Sequence, residues 1–126
     1  MCQCANMTIK NMEKENIIVT KSFLFALDVV KYCENLEDNR KFVIANQLLK
    51  SGTSIGANVR EAQNAESRND FIHKLKIAAK EAEETEYWLL ICKHSSYPFE
   101  ENLLHSVKEL LKLLSKIISS SKSNLR

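Results

Sequence analysis

Residues 68–94 read RNDFIHKLKIAAKEAEETEYWLLICKH, and within them Phe71, Leu75, Ala78, Ala82, Thr85, Leu89 and Cys92 recur at alternating four- and three-residue intervals. That spacing lays an apolar seam along one side of an α-helix, the pattern by which helices pack in bundles and coiled coils. Ser67 stands just ahead as an N-cap, and Asp70 places negative charge in the first turn, where unpaired peptide N–H groups favour it. Ser95-Ser96-Tyr97-Pro98 ends the helix, because proline disfavours helical geometry in the residue before it. A second row on an adjoining face, Ile77, Glu81, Glu84, Trp88 and Ile91, keeps the same repeat. A helix with two partly apolar faces touches more neighbours than one hairpin partner, and subunit contact is the natural use of the extra face.

The same periodicity predicts three more helices. One spans about Phe99 to Ser119, with Leu103, Val107, Leu110, Leu114 and Ile117 in one row and Leu104, Leu111 and Ile118 in the next. Another spans about Lys14 to Asn35, its stripe read as Val19, Phe23, Ala26, Val30 and Cys33, widened by Leu24 and Leu27. The last runs from about Arg40 to Ala65, with Phe42, Ala45, Leu49, Gly52, Gly56 and Val59 on one face and Leu48, Ile55 and Ala62 beside them. Its middle, Ser51-Gly52-Thr53-Ser54-Ile55-Gly56-Ala57-Asn58, is ambiguous. Each glycine inside a helix costs up to about 1 kcal/mol against alanine, which favours a break near Gly52. Two glycines four apart on the apolar face instead suggest a continuous helix that a neighbour approaches closely, for want of a Cβ. On that reading Gly56→Leu overfills the contact. A phosphate-binding loop is a poor third reading, since no Gly-Lys-Ser/Thr follows and no strand precedes.

The whole chain of 126 residues fits one domain, with 2 glycines and 1 proline leaving little material for the many turns of an all-β fold. The organisation expected is a flexible leader over 1–13, a bundle over 14–120 and a polar tail over 121–126, with Met7 and Met12 as alternative starts. The net charge of +2 is mild, so any affinity for nucleic acid must come from where the charge sits. Cys2, Cys4, Cys33 and Cys92 have no framework spacing. The N-terminus lacks the layout of a signal peptide, and no apolar run reaches the roughly 18 residues of a membrane span. The expectation is a cytoplasmic protein that makes no use of a membrane.

The chemistry-bearing residues do not converge. A di-iron bundle needs paired Glu-x-x-His motifs, whereas the residues three before His73, His94 and His105 are Asp70, Ile91 and Asn102. Cys92 and His94 are two apart and point to different sides of a helix. Cys2 and Cys4 would need ligands from elsewhere. No catalytic residue, metal site or cofactor is expected. Glu81 and Glu84, set among Ile77, Trp88 and Ile91, are either solvated or salt-bridged at a bundle edge, or paired with Asn58, Arg60 or a lysine across a helix or subunit boundary. On the last helix His105, Lys108, Lys112 and Lys116 follow one another opposite the leucines, with Lys122 and Arg126 beyond. They form either a solvated face or a phosphate-backbone contact, in which each neutralised phosphate releases counterions.

The strings QLLKSGTSIGANVREA (residues 47–62), DFIHKL (residues 70–75) and KEAEETEYWL (residues 80–89) resemble the bacterial four-helix bundle proteins encoded in intervening sequences of 23S ribosomal RNA genes. The likeness covers about residues 14–120. It implies an all-α, antiparallel, up-and-down, left-handed four-helix bundle that assembles as a homopentamer. It also implies kinship with the accessory variability protein of diversity-generating retroelements, a bundle that binds nucleic acid and a reverse transcriptase. The resulting expectation is a non-enzymatic homo-oligomeric scaffold contacting RNA or DNA weakly through Lys108, Lys112, Lys116 and Lys122. Gly52, Gly56, Asn58, Ile77, Glu81, Glu84, Trp88 and Ile91 are its packing or subunit contacts. The alternative is a module that docks a protein partner and has no nucleic-acid role.

Overall fold

In a computed structural model describing residues 9–123, with side chains described from Ile17 onward, the chain forms four helices: α1 (Ile9–Asp38), α2 (Phe42–Gln63), α3 (Arg68–His94) and α4 (Glu101–Ser123). Residues 1–8, with Cys2, Cys4 and most of the expected leader, lie outside the described residues, as do 124–126 of the tail. α1 takes in 9–13 and α4 runs on through 120–123, because no glycine or proline stands at either place to stop a helix. α3 has the limits its sequence predicts. The Ser67 hydroxyl accepts from the Asp70 N–H at 3.0 Å, and the Asp70 carboxylate accepts from the Glu66 N–H at 3.2 Å. The first bond satisfies one N–H group that the first turn leaves free, and the second ties the residue before the cap to that turn. Arg40 (φ 64°) and Ser96 (φ 59°) take the left-handed conformation at the ends of α1 and α3, a position glycine usually fills, while both glycines sit inside α2.

α2 is continuous through Gly52, so the break expected there as an alternative does not occur. Its polar side chains fold back onto the preceding turn. The Thr53 hydroxyl donates to the Leu49 carbonyl at 2.7 Å, Ser54 to Lys50 at 2.6 Å, and the Asn58 amide to Ser54 at 2.9 Å. Groups that favour a loop when free are thereby used within the helix.

Paired residues show neighbouring helices running antiparallel. Cys33 meets Ala45, Val29 meets Gly52 and Ser22 meets Gly56 along α1 and α2. Ser51 meets Thr85 and Glu61 meets Lys74 along α2 and α3. Lys93 meets Glu101 at the α3–α4 end, and Lys21 meets Glu109 between α1 and α4. The four helices form a ring in which α1 and α4 make the loosest seam. The Tyr32 hydroxyl closes the top by donating to the Pro98 carbonyl, and burial raises its pKa above the usual phenol value.

The inward face of α1 differs from the stripe expected for it. Ile18, Ser22, Phe25, Val29, Tyr32, Cys33 and Leu36 are buried, while Phe23, Leu24, Leu27 and Val30 are exposed and Val19 and Ala26 are half-buried. On α2, Phe42 and Leu49 are likewise exposed rather than buried. Between residues 17 and 33 α1 is apolar almost all round, so more than one stripe fits the helical period and the facing helix chooses among them.

Ser51 and Thr85 form a buried polar link between α2 and α3. The Thr85 hydroxyl lies 2.9 Å from the Ser51 hydroxyl and 2.7 Å from the Glu81 carbonyl, and Ser51 reaches the Leu48 carbonyl at 3.5 Å. Thr85→Val keeps the shape and removes one partner, so a urea melt should show a loss of about 1 kcal/mol. Adding Ser51→Ala should bring the double variant back near the wild type, since no hydroxyl is then left short of a partner.

Candidate functional site

The leucine rows of α4 set its outward face. Leu103, Val107, Leu110 and Leu114 point into the core, and the residues opposite them, His105, Lys108, Lys112 and Lys116, are exposed. A four-residue step along a helix is about 6 Å, so Lys108, Lys112 and Lys116 span about 12 Å of axis. None of the three is ion-paired with a described carboxylate; the nearby Glu109 is held by Lys21 of α1 at 3.9 Å. Lys122, also exposed, lies beside Lys76 of α3, and the side-chain contact with that amine, together with its positive charge, holds the Lys122 pKa below the usual lysine value. Sequence reasoning passed over Lys76 because only antiparallel packing brings the start of α3 to the end of α4. The basic surface therefore covers two helices.

The second expected row lies along the flank of α3 nearest α2. Ile77, Glu81, Trp88 and Ile91 are half-buried and Glu84 is exposed. The Trp88 indole N–H donates to the Glu84 carboxylate at 3.2 Å, one turn away, and the Tyr87 ring meets Trp88 edge-on at 5.3 Å. Neither acid pairs with Asn58 or Arg60 within the chain. The half-buried Asn58 amide is taken by Ser54, and the Arg60 guanidinium lies 5.6 Å over the Phe23 ring on the far side of α2. Gly52 is buried and Gly56 half-buried, both facing α1. The larger apolar exposure is on α1 and the adjoining edge of α2. A signal for it exists in the sequence: Ile18, Ser22, Phe25, Val29, Tyr32 and Leu36 make a 4-3-4-3-4 repeat one step longer than the stripe expected. It also accounts for Leu36.

The remaining reactive groups are enclosed or apart. Among the described residues no group of three His, Cys, Asp or Glu side chains is placed to hold a metal ion. Clefts of about 130 and 170 Å³ on the α1–α4 seam are smaller than the roughly 300 Å³ at which small-molecule sites begin. No helix among the described residues is long and apolar enough to cross a membrane. Burial pushes the Cys33 thiol from 9.0 up to about 12 and raises Cys92 as well. Both thiols stay protonated in the folded chain while the unfolded chain ionises above about 9, so stability should fall as pH climbs from about 9 towards 12. Urea melts at pH 8 and pH 10 check this. Iodoacetamide at pH 8 should label Cys33 and Cys92 only in denaturant.

Comparison with known proteins finds a family and solved structures that this chain resembles. Residues 14–120 match the family model described as 23S rRNA-intervening sequence protein. The chain is also similar to a crystal structure of a protein of unknown function from the S23 ribosomal protein family of Bacteroides thetaiotaomicron VPI-5482. The identity is 46 % and the TM-score 0.81, over 84 % of this chain and 98 % of that one. No curated protein matches.

Proposed function

Because this chain belongs to the 23S rRNA-intervening sequence protein family, we propose that it is a cytoplasmic, non-enzymatic, homo-oligomeric helical scaffold that holds nucleic acid weakly through the outer face of α4. The observation that carries this reading is the row Lys108, Lys112 and Lys116, exposed and unpaired with described carboxylates on the face opposite the core. Lys122 and Lys76 extend it onto α3. Lysines at this spacing meet successive phosphates of a backbone without reading its bases, and the gain comes from released counterions. A closed ring of subunits repeats the row and multiplies a contact that is weak in one chain. RNA is the first polyanion to test for a family named after 23S rRNA. Small clefts and buried thiols support a binding role over catalysis.

The test compares retention of a mixed RNA preparation by the wild type and by a variant carrying Lys108→Glu, Lys112→Glu and Lys116→Glu. Loss of retention at low salt with an unchanged melting curve is the expected result. Equal retention would overturn the nucleic-acid half and leave a module for a protein partner.

A further inference from the structure

The outward side of α3 carries aromatic rings and carboxylates that the bundle leaves without partners. Glu83, Glu84, Tyr87 and Leu90 are exposed there at one-turn spacing, and Trp88 and Ile91 are half-buried beside them. Residues 80–91 hold Glu81, Glu83, Glu84 and Glu86 against the single cation Lys80, in a chain whose net charge is +2. None of these glutamates is ion-paired with a described lysine or arginine; the carboxylates so paired are Glu61, Glu101 and Glu109. The rings lack cations as well. Among the described residues Phe23, Phe71, Tyr97 and Phe99 each have an arginine or lysine of the chain 4.7 to 5.9 Å from the ring centre. Tyr87, 58 % exposed, and Trp88 have none. Their planes meet at 63°, an edge contact, so neither ring is stacked over by the other.

We infer that this ridge of α3 docks a basic segment of a different protein, an extended stretch in which an arginine is followed two residues later by an aliphatic side chain. The ridge supplies the two things a cation seeks, an uncovered aromatic face and unpaired carboxylates, one helical turn apart. A planar guanidinium lies flat on the Tyr87 ring while its N–H groups fork onto Glu83 or Glu84, which the compact ammonium of lysine cannot do. Leu90 and Ile91 stand one turn beyond Tyr87, about 5 Å along the axis. An extended chain advances about 6.6 Å in two residues, so the arginine on Tyr87 sets the second side chain on that aliphatic pair. The carboxylates repel a polyanion and an anionic lipid surface alike, so the ridge fits neither nucleic acid nor a membrane. The inference goes beyond the function proposed above and depends on neither the lysine row of α4 nor assembly.

Trp88 is the single tryptophan of the chain, so its fluorescence reports occupancy of the ridge directly. The experiment titrates the full chain at low salt with the peptide acetyl-Gly-Arg-Ser-Leu-Arg-Gly-amide. A second titration uses the same peptide with citrulline, the uncharged isostere, in place of each arginine. The expected result is a saturable change in Trp88 emission with the arginine peptide, and binding about 10-fold weaker with the citrulline peptide. A Glu83→Gln/Glu84→Gln variant keeps an amide oxygen to accept from the Trp88 indole and should bind the arginine peptide no better than the citrulline one. Both side chains are exposed, so its melt should match the wild type. Tyr87→Leu should weaken the arginine peptide several-fold and leave the citrulline peptide as it was. Equal binding of the two peptides, no response, or an unchanged response in the double variant overturns the assignment. Light scattering tests the remaining occupant: a wild-type mass that falls in the double variant gives the ridge to a second copy of this chain and also overturns the inference.

Discussion

Gly52→Leu is expected to destabilise the bundle by about 3 kcal/mol in a urea melt, the top of the range for overfilling a packed core. A Cβ at position 52 would lie 2.8 and 2.9 Å from the two γ carbons of Val29 and 3.3 Å from its Cβ. Val29 is fully buried and β-branched, and one χ1 rotamer dominates for valine in a helix, so it has nowhere to turn. Even Gly52→Ala should lose about 1–2 kcal/mol, the clash outweighing the gain of up to about 1 kcal/mol in helix propensity. Gly56→Ala is the contrasting case. Its Cβ would meet the Ser22 carbonyl oxygen at 3.4 Å, an ordinary contact, so the propensity gain should leave stability unchanged or slightly raised. Val29→Ala should relieve much of the cost of Gly52→Ala in a double-mutant cycle. A Gly52→Ala variant as stable as the wild type would show that α1 and α2 are not held at this separation by the missing Cβ.

Reversing Lys108, Lys112 and Lys116 together should lower RNA affinity on the order of 10²-fold at 0.1 M salt. Each lysine–phosphate contact contributes about 0.7 to the slope of log affinity against log salt on single strands and about 0.9 on duplex, so losing three flattens the slope by about 2–3. The slope is the sharper readout. A damaged fold would weaken binding at every salt concentration, whereas lost phosphate contacts change how binding responds to salt. The three side chains are exposed, so the melt should move little. An unchanged slope would place the phosphate contacts elsewhere or nowhere.

The lysine row was legible because it depends on α4 alone. Once leucines occupy one side of a helix, what stands opposite them is outward wherever the helix packs. Lys76 was not legible beside Lys122, because its proximity arises from two helices running antiparallel. The Glu81 and Glu84 environment was legible only in part. Their shared face was evident from spacing, but its half-burial and the engagement of Arg60 by Phe23 of α1 come from neighbouring helices, while Asn58 is taken within α2 by Ser54 one turn back.

What the sequence by itself determined is the helical state of α1, α3 and α4 and the inward faces of α3 and α4, whereas the continuity of α2 through Gly52 was left open between two readings. α4 has a single apolar side, so there the period of the pattern and the face that is buried are one piece of information. On α3 the adjoining row carries Glu81 and Glu84, whereas the seam from Leu75 to Cys92 carries no charge, which singles out the seam as the inward face. α1 separates the two. From Ile17 to Cys33 it is apolar nearly all round, and the period is satisfied equally by a stripe through Phe23 and Val30 and by one through Ser22 and Val29. Only tertiary structure chose, because the choice depends on what faces it. The bare backbone at Gly52 accepts the γ carbons of Val29, and the opening at Gly56 accepts the Ser22 backbone. Turning that stripe inward leaves Phe23, Leu24, Leu27 and Val30 on the outside. Burial is a property of a pair of surfaces, and one helix states only its own.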